Sequence, residues 1–490
     1  MANTITIGVP GKANARASIL VAIATIEVMA LCMPPKWWLI AGVALVAIAS
    51  AFAVVISVIR GHADFLILGW VLVFPLGYYY FAYPEVHPVI TLDRLFIGIL
   101  MGTACFAFSH STTQIPGTLK KLGVWWGGFL FFAAITIPST RVPLNSLRTL
   151  LDGFIFPTFL AWFVFRYVDV RAHLSKLHLF TCIMALYTCA IGAAEIILQR
   201  DLLSMPDSAV FLAGDYSAGG SNEILLRPNG PFSTTNSYAL VGLTTFFFLP
   251  FLKRAVGTHW PLWRRSLHRL ATAAALLTAI MPIFRSVFVS LGIVLVADAF
   301  YSEGMRRKIR VAALLLFLFV GLTIRAALPA VFEERSDPAN FFGRVAEQRQ
   351  ILAMFMDHPL NGVGLNNFYY EASVKGKYRA FFGDIESVDY PHNNLGAVLA
   401  ETGLTGFIPY VASQVLLVIA FWKVYRSGLP DSQLIWKCFL YTFLGYWING
   451  MSLTSGYYSD LNLWYLLVIA ILMKYAVSSI SYTRPVREVL

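Results

Sequence analysis

Long uninterrupted blocks of apolar residues recur along almost the whole chain and constrain its fold more than any other feature. Each block is about 17 to 23 residues long, the length of α-helix that crosses the hydrocarbon core of a membrane. Hydrophobic residues make up 58% of the chain and charged residues only 13%, about half the charged fraction of an average soluble domain. Strands of a membrane barrel would be shorter and would alternate polar with apolar positions. The sequence therefore predicts an all-α polytopic membrane protein.

The apolar blocks predict about 12 to 14 transmembrane helices in a single integral membrane domain over residues 1–490. We place the spans at residues 17–34, 37–59, 64–83, 90–108, 122–138, 149–165, 177–198, 237–252, 268–284, 286–301, 310–328, 404–422, 433–451 and 460–477. Basic residues concentrate in the connectors on one side, which the positive-inside rule assigns to the cytoplasm. Both termini are then cytoplasmic, and the net charge of +11 reflects topology rather than a nucleic-acid partner.

The five cysteines all lie within or at the edge of predicted spans. Their spacing is typical neither of a zinc site nor of an extracytoplasmic disulfide framework. We expect them to be small apolar core residues. They are Cys32, Cys105, Cys182, Cys189 and Cys438.

This topology puts three connecting regions on the outer side of the membrane. They are the loop 199–236, a tight hairpin around 282–286 and a large extracytoplasmic loop at 325–392. A polar island rich in Gly, Asn and His is formed by residues 357–368, 390–394 and 400–406. Inside an otherwise apolar chain such an island needs water or a ligand, so we expect the protein to function there.

Within the large loop, residues 340–357 have the pattern of a helix. Asn340 is suited to the N-cap, and Pro359 disfavours helix in the residue before it. Apolar residues recur at roughly helical spacing, namely Val345, Ile351, Leu352, Phe355 and Met356. An amphipathic helix of this kind could lie on the bilayer, lid a cavity or pack over the bundle.

Arg285 interrupts a long apolar stretch at the outer hairpin. An arginine costs about 2.5–3.5 kcal/mol at the centre of a membrane span and less near an interface, so it is usually paired or functional. Its planar fork donates two parallel hydrogen bonds, which suits a phosphate ligand. The alternative is an arginine that snorkels to water from a short turn. Arg227 and Arg344 are further candidates, with ordinary interfacial or solvated arginines as the alternative.

His392 lies where the large loop returns to the membrane, and it is the candidate general base. An imidazole titrates near pH 6.5, which suits proton transfer at neutral pH. A structural role is the alternative, and His358 is a rival that also suits a helix end. Glu401 could orient a base or an acceptor, or it could be a solvated residue at a helix end. Other acids in or beside spans are expected to be paired inside the bundle, namely Glu27, Asp152 and Glu195.

Several short motifs follow one another through the second half of the chain. They are Arg227-Pro-Asn-Gly-Pro-Phe-Ser-Thr-Thr-Asn236, Phe284-Arg285-Ser286, Gly343-Arg344, Asp357-His-Pro-Leu-Asn-Gly-Val-Gly-Leu-Asn-Asn-Phe368, His392-Asn-Asn394 and Glu401-Thr-Gly-Leu-Thr-Gly406. Together they resemble the O-antigen ligase and polysaccharide polymerase superfamily. The resemblance covers residues 220–425, and the fourth and sixth motifs are fairly specific in combination.

The resemblance implies a membrane glycosyltransferase with its active site on the periplasmic face of the bacterial inner membrane. Such enzymes move a glycan from undecaprenyl pyrophosphate to a hydroxyl of the lipid A-core, for ligases, or of another glycan, for polymerases. Arg285 would bind the pyrophosphate and His392 would activate the acceptor, with no metal and no cofactor. Five further residues are expected to contact the pyrophosphate or glycan, namely Arg227, Arg344, Asn393, Asn394 and Glu401.

Two other functional classes stay open at this level. A transporter or flippase of lipid-linked glycans should show pseudo-repeats and charges along a path through both leaflets, whereas the polar segments here cluster on one face. A structural protein of an envelope complex would leave Arg285 and His392 replaceable. The sequence does not separate a ligase from a polymerase, because it does not reveal the acceptor pocket.

Overall fold

The computed structural model describes residues 64–77, 90–107, 115–203, 227–232, 234–257, 260–300, 338–375, 378–387, 390–429, 431–452 and 455–483, together with short stretches between 304 and 315. Helices dominate this part of the chain, and one pair of two-residue strands is the strand structure found in it. The all-α prediction is therefore confirmed. The predicted spans 17–34 and 37–59 and most of 310–328 lie outside the described residues, as do Glu27 and Cys32.

The α-helices define the frame on which the candidate site is built. In chain order they are α1 (Asp64–Val73), α2 (Leu92–Ala107), α3 (Gly117–Thr136), α4 (Pro143–Arg148), α5 (Phe156–Tyr167), α6 (Val170–Leu198), α7 (Thr235–Val256), α8 (Leu262–Ile280), α9 (Arg285–Phe300), α10 (Pro338–Asp357), α11 (Phe368–Lys375), α12 (Asn394–Arg426), α13 (Ser432–Gly450) and α14 (Ser459–Thr483). A π-helical segment, Thr149–Ile155, joins α4 to α5, and short 3-10 turns cover Phe74–Leu76, Ile137–Ser139 and Ser455–Tyr457. The strands β1 (Phe381–Phe382) and β2 (Ile385–Glu386) form an antiparallel hairpin.

Six helical segments of the described chain are long and apolar enough to cross a membrane. They are Gly117–Ser139, Pro143–Tyr167, Val170–Leu198, Thr235–Val256, Asn394–Arg426 and Ser459–Ser479. Each contains a span predicted from the sequence, and α1, α2, α8, α9 and α13 overlap five more. The multi-pass membrane architecture is confirmed, and the total of about 12 to 14 spans stays a prediction.

The helices α7 and α14 form the interior of the bundle. Almost every residue of α7 from Thr235 to Leu252 is buried, and α7 contacts α6, α8, α13 and α14. Aromatic rings fill the centre: Trp464 of α14 stacks on Phe74 with ring centroids 5.3 Å apart and meets Phe248 edge-on at 6.3 Å. A helix that is apolar around its whole circumference is suited to such an interior position.

The helix of the large loop, α10, begins at Pro338 rather than at Asn340. Asn340 therefore lies inside the helix, and its prediction as the N-cap is wrong; proline is favoured in the first helical turn. The predicted end of the helix at Asp357 is confirmed.

One face of α10 packs on the bundle, and another faces outward. Ile351 and Met354 are buried in a cluster that includes Ala400 of α12. In contrast, Leu352 and Met356 are 56% and 68% exposed. The apolar residues of α10 are thus divided between a bundle-facing stripe and an outward stripe, and the first of these packs over the bundle, as one of the interpretations of the sequence expected.

Candidate active site

The two most specific sequence motifs lock together at a kink in α12. Gly403 has a φ of 60°, which breaks the helical geometry within α12. The loop after α10 lies against this kink, and its backbone bonds to α12 on both sides of the break. Val363 N–H donates to the Ala400 carbonyl at 2.9 Å, and Leu404 N–H donates to the Pro359 carbonyl at 2.9 Å. The motifs at 357–368 and 401–406 therefore form one structural unit.

Two glycines allow this close approach of backbone to backbone. A Cβ added at Gly362, where φ is 65°, would lie 2.3 Å from the carbonyl carbon of Glu401. A Cβ added at Gly403 would lie 2.2 Å from the carbonyl oxygen of Leu360. Side chains also disfavour a positive φ, so both positions require glycine for two independent reasons.

Glu401 is buried at this junction, which overturns the interpretation of a solvated residue at a helix end. Its carboxylate accepts hydrogen bonds from the backbone N–H groups of Asn366, at 2.7 Å, and Phe368, at 3.3 Å. The phenol of Tyr457 donates a further short hydrogen bond to it. Glu401 therefore clamps the loop to α12 and to the turn before α14.

Two tyrosines in the turn before α14 make hydrogen bonds through their phenol groups. Burial, and then the nearby Glu401 carboxylate, raises the pKa of Tyr457 well above its ordinary value. Burial likewise raises the pKa of Tyr458 to about 12, although a hydrogen bond with Asn236 opposes the increase. Both phenols therefore keep their protons throughout the neutral range.

His392 is held by Glu347 of α10 in a pair that is almost completely buried. The side chains of His392 and Glu347 are 7% and 0% exposed. Glu347 Oε1 accepts from the backbone N–H of His392 at 2.6 Å, and Oε2 lies 3.0 Å from Nδ1. The carbonyl oxygen of Tyr390 lies 2.9 Å from the same ring nitrogen.

These contacts define the tautomer of the neutral imidazole. A carboxylate oxygen and a backbone carbonyl both accept hydrogen bonds, so Nδ1 of His392 must carry the proton that they share. The lone pair of the ring then lies on Nε2. A carboxylate that holds one nitrogen of a histidine while the other acts as a base is the arrangement used in general-base catalysis.

The two asparagines after His392 both make structural hydrogen bonds. Asn393 is the N-cap of α12, and its side-chain oxygen accepts from the backbone N–H groups of Leu395 and Gly396 at 3.0 and 3.3 Å. Asn394 Oδ1 accepts from the backbone N–H of Gly456 at 2.9 Å. These bonds fix where α12 begins and hence where His392 lies.

Arg285 is exposed and is the first residue of α9. Within the described part of the chain its side chain makes neither a hydrogen bond nor an ion pair. A helix N-terminus carries unsatisfied N–H groups and a partial positive charge, so Arg285 adds a full charge at a position already suited to an anion. Arg227 lies close by, with its guanidinium carbon 5.8 Å from the ring centroid of Phe284. Arg227 therefore lies beside Phe284, the residue that precedes Arg285.

The turn that precedes Arg285 has an unusual backbone. Ile283 has a φ of 55°, a left-handed conformation that is rare for a β-branched residue. Its N–H donates to the Ile280 carbonyl at 2.9 Å, which closes the turn between α8 and α9. Strain of this kind is concentrated at functional sites, and here it sets the direction in which α9 and Arg285 begin.

The segment 456–460 links the histidine region with the arginine region. Tyr458 forms a hydrogen bond with Asn236, and the Asp460 carboxylate accepts from the Ser237 hydroxyl at 2.6 Å. Asn236 and Ser237 begin α7, the helix that follows the Arg227 turn. On its other side the same segment bonds to α12, as described above, so one segment connects both halves of the site.

The remaining candidates lie on the surface of α10. Arg344 is exposed and lies one helical turn before Glu347, a spacing that puts the two on neighbouring positions of the helix. His358 is exposed at the end of α10, where its carbonyl accepts from Gly362 N–H at 2.9 Å. His358 thus lies at a helix end, as predicted, and Glu347 pairs with His392 rather than with it.

The acids expected to be paired inside the bundle are paired where the structure describes them. Asp152, in the π-helical segment, accepts from Arg94 of α2 at 2.9 Å. Glu195 Oε2 accepts from the backbone N–H of Gly230 at 2.7 Å, which holds the turn after Arg227 against α6. Both acids support the fold around the site.

Glu347 is a candidate site residue that the sequence did not reveal. The buried residues of α10 follow a helical stripe that includes Gly343, Ala346, Glu347, Gln350, Ile351 and Met354. A hydrophobic pattern does not identify this stripe, because two of its members are polar and one is glycine. The more hydrophobic Leu352 and Met356 face outward instead. A glutamate on the bundle-facing side of a loop helix is the signal that would have identified it.

The region that contains these residues matches a known protein family. A family model described as O-Antigen ligase matches residues 238–411, from the first turn of α7 to the middle of α12. Arg285, Glu347, His392 and Glu401 lie inside the match, and Arg227 lies before it. Comparison with curated proteins found no match. Residues 238–411 of this chain are therefore similar to the O-antigen ligase family, and this match supports the superfamily indicated by the sequence motifs.

Proposed function

We propose that this protein transfers a glycan from undecaprenyl pyrophosphate to a hydroxyl group of an acceptor sugar. The acceptor is the lipid A-core if the protein is a ligase and another glycan if it is a polymerase. The observation that carries the proposal is the buried pair of His392 and Glu347 inside the region that matches the O-antigen ligase family. The family match supports the reaction class, and the pair of His392 and Glu347 provides a general base for that reaction.

In this proposal Nε2 of His392 accepts the proton of the attacking hydroxyl. The oxygen of that hydroxyl forms a bond to the anomeric carbon of the glycan, and the bond between that carbon and the pyrophosphate oxygen breaks. Glu347 stabilises the imidazolium that forms, because its carboxylate already lies 3.0 Å from Nδ1. General-base catalysis of this kind contributes roughly 10²–10⁴-fold to a rate.

Arg285 and Arg227 bind the pyrophosphate in this mechanism. The leaving pyrophosphate gains negative charge as the glycosidic bond breaks, so fixed cations stabilise the transition state more than the ground state. The exposure of Arg285 at the N-terminus of α9 and the nearness of Arg227 to Phe284 support this assignment. The arginines and His392 belong to separate elements of the structure. If the acceptor hydroxyl attacks one face of the sugar and the pyrophosphate leaves from the other, the configuration of the anomeric carbon is inverted.

The other predicted site residues are assigned roles by their surroundings. Arg344 is exposed, so we assign it to the glycan or the pyrophosphate. Asn393, Asn394 and Glu401 make several bonds to the backbone. We propose that they act by positioning His392 and the loop around it, with any substrate contact secondary to that role.

We place the site at the periplasmic face of the bacterial inner membrane, with both termini in the cytoplasm and residues 325–392 outside. A lipid-linked donor enters such a site from the outer leaflet. The outward stripe of α10, with Leu352 and Met356 exposed, suits contact with lipid beside the entry path. The pyrophosphate bond of the donor supplies the driving force, so neither ATP nor a nucleotide sugar is needed, and the family resemblance implies that neither a metal nor a cofactor takes part.

The proposal is tested by reconstitution in lipid. Purified protein receives an undecaprenyl-pyrophosphate-linked glycan with and without a lipid A-core acceptor, and the products are separated by size. Joining to the lipid A-core identifies a ligase, and lengthening of the lipid-linked glycan without that acceptor identifies a polymerase. His392→Asn should abolish either product, whereas Arg269→Ala, a change at an exposed position of α8, should not. No product from several donors in folded protein would overturn the proposal and favour transport.

A further inference from the structure

A second cluster of chemically reactive side chains lies far from the candidate active site. His178 and Cys182 of α6 and His268 of α8 converge, and one donor atom from each lies within 4.8 Å of the others. The relative exposures are 0% for His178, 0% for Cys182 and 6% for His268. Cysteine spacing could not predict this grouping, because two of the three members are histidines and one of those is on another helix.

We propose that His178 Nε2, Cys182 Sγ and His268 Nδ1 bind a thiophilic transition-metal ion, Cu⁺ in preference to Zn²⁺. A thiolate with two imidazoles is a donor set that both ions favour. The proposal is independent of glycan transfer, since it concerns different residues on different helices.

The distances between the donor atoms suit a shared ion. Metal–nitrogen bonds of about 2.0–2.1 Å and metal–sulfur bonds of about 2.3 Å put neighbouring ligand atoms about 3.3–3.7 Å apart. His178 Nε2 lies 3.2 Å from His268 Nδ1 and 3.5 Å from Cys182 Sγ. Small adjustments of these side chains would therefore complete the ligand set without movement of either helix.

The surroundings of the cluster are apolar, which makes unligated polar groups costly. Cys182 belongs to a core cluster with Ala185, Leu249, Ala271 and Ala275. The ring of Trp260 covers the histidines, with its centroid 4.5 Å from that of His178. Burying polar groups in such a core is unfavourable unless they are bonded, and a metal ion would satisfy all three donors at once.

Charge favours a monovalent ion at this site. A cysteine that binds a metal ion does so as the thiolate, and the guanidinium carbon of Arg264 lies 4.9 Å from the centroid of the Trp260 ring that covers His178. One thiolate neutralises Cu⁺, whereas Zn²⁺ would leave a net positive charge beside Arg264. We therefore expect Cu⁺ to bind more tightly than Zn²⁺.

The cluster is remote from the proposed chemistry. Along α6, His178 is about 25 Å from Glu195 by helical rise, and Glu195 holds the turn next to Arg227. A bound ion would therefore connect α6 to α8 and stabilise the bundle without taking part in glycan transfer.

The test measures metal binding directly on the full-length protein in detergent. Cu⁺ and Zn²⁺ are each added, excess metal is removed with a chelator, and bound metal is counted by mass spectrometry. We expect one Cu⁺ per chain and a higher unfolding temperature with metal. Cys182→Ser and His268→Asn should each weaken binding at least about tenfold, because even residues behind metal ligands contribute 10–100-fold.

Cys189→Ser is the matched control, since Cys189 is another buried cysteine of α6 outside the cluster, and it should bind metal like the wild type. X-ray absorption of the copper-loaded protein should show one sulfur and two nitrogen ligands. Wild-type protein that retains neither ion has only a hydrogen-bonded core cluster here, and that result would overturn the proposal. Equal binding by Cys182→Ser would do the same, and tighter binding of Zn²⁺ would overturn the preference for Cu⁺.

Discussion

The carboxylate of Glu347 accepts hydrogen bonds from the backbone N–H of His392, at 2.6 Å, and from its ring Nδ1–H, at 3.0 Å. One carboxylate therefore fixes the position of the histidine and the orientation of its ring. The helix that carries Glu347 belongs to the large loop, whereas His392 stands at the start of a long apolar helix. The pair thus joins the loop to the bundle at the residue proposed to perform the chemistry.

Glu347→Gln should lower kcat and leave the KM for the donor nearly unchanged. The amide keeps the size of the side chain but removes the charge that stabilises the imidazolium, and it presents an N–H group where an acceptor is needed. We expect a loss of roughly 10²–10⁴-fold in kcat, the range of general-base catalysis. Gln348→Ala, a change at the exposed neighbouring position, is the control and should retain full activity. Wild-type kcat in Glu347→Gln would remove the pair from the mechanism.

Arg285→Ala should reduce transfer by at least about 10²-fold, the effect of removing one fixed donor to a developing anion. Arg285→Lys should recover part of the activity, because it restores the charge but not the two parallel hydrogen bonds of the guanidinium. The measurement is the initial rate in lipid vesicles at several donor concentrations, with Arg269→Ala as the control for loss of an exposed arginine. If Arg285→Ala transfers glycan at the wild-type rate, Arg285 does not bind the leaving group.

Tyr458 should make the stability of the protein fall at alkaline pH. Burial raises its pKa from 10.0 to about 12, so between these values the folded chain keeps a proton that the unfolded chain has lost. The free energy of unfolding then decreases as the pH rises through this window, by roughly 2–3 kcal/mol in total. Unfolding temperature measured from pH 9 to pH 12 should fall more steeply in the wild type than in Tyr458→Phe. Tyr369→Phe, at a partly exposed tyrosine, should behave like the wild type, and parallel curves for all three proteins would contradict the assignment.

Much of the bundle could be predicted because lipid imposes one simple requirement. Every backbone polar group inside the membrane must bond within its own helix, so a long apolar block is nearly sufficient evidence for a helix. The six segments long enough to span a membrane all contain predicted spans. The hairpin at Arg285 was also predictable, because a charged residue in an apolar stretch marks the point where the chain returns to water.

The partners of the site residues could not be predicted in the same way, because they depend on contacts between distant parts of the chain. The sequence allowed Glu401 to be a solvated acid at a helix end, yet its side chain is buried between the loop after α10 and Tyr457. Glu347 was overlooked because its helix has a polar buried stripe. In both cases the residue type is unusual for its environment, and only the tertiary structure shows which hydrogen bonds compensate for its burial.

The glycines of the two interlocking motifs were visible in the sequence, but their purpose was not. A turn-forming role for Gly362 follows from its type, whereas the need for empty space beside Gly403 arises only when the loop approaches α12. The backbone bonds from Val363 to Ala400 and from Leu404 to Pro359 explain why the two motifs occur together. They form a single unit that supports Glu401 and, through the start of α12, His392.

Gly403→Ala should destabilise the protein far more than Gly383→Ala, although both residues have a φ of 60°. A φ of 60° strains an alanine at both positions, and the ψ of −164° at Gly403 adds to the strain there, because that region is populated essentially only by glycine. Gly383 has open space around its Cβ position, whereas at Gly403 the Cβ would lie 2.2 Å from the Leu360 carbonyl oxygen. The extra loss at Gly403 comes from this backbone strain and from displacing the loop, so transfer activity should fall together with the unfolding temperature. The measurement is thermal unfolding of both purified variants in the same detergent, and equal midpoints would show that the loop and the kink are not locked together as the structure indicates.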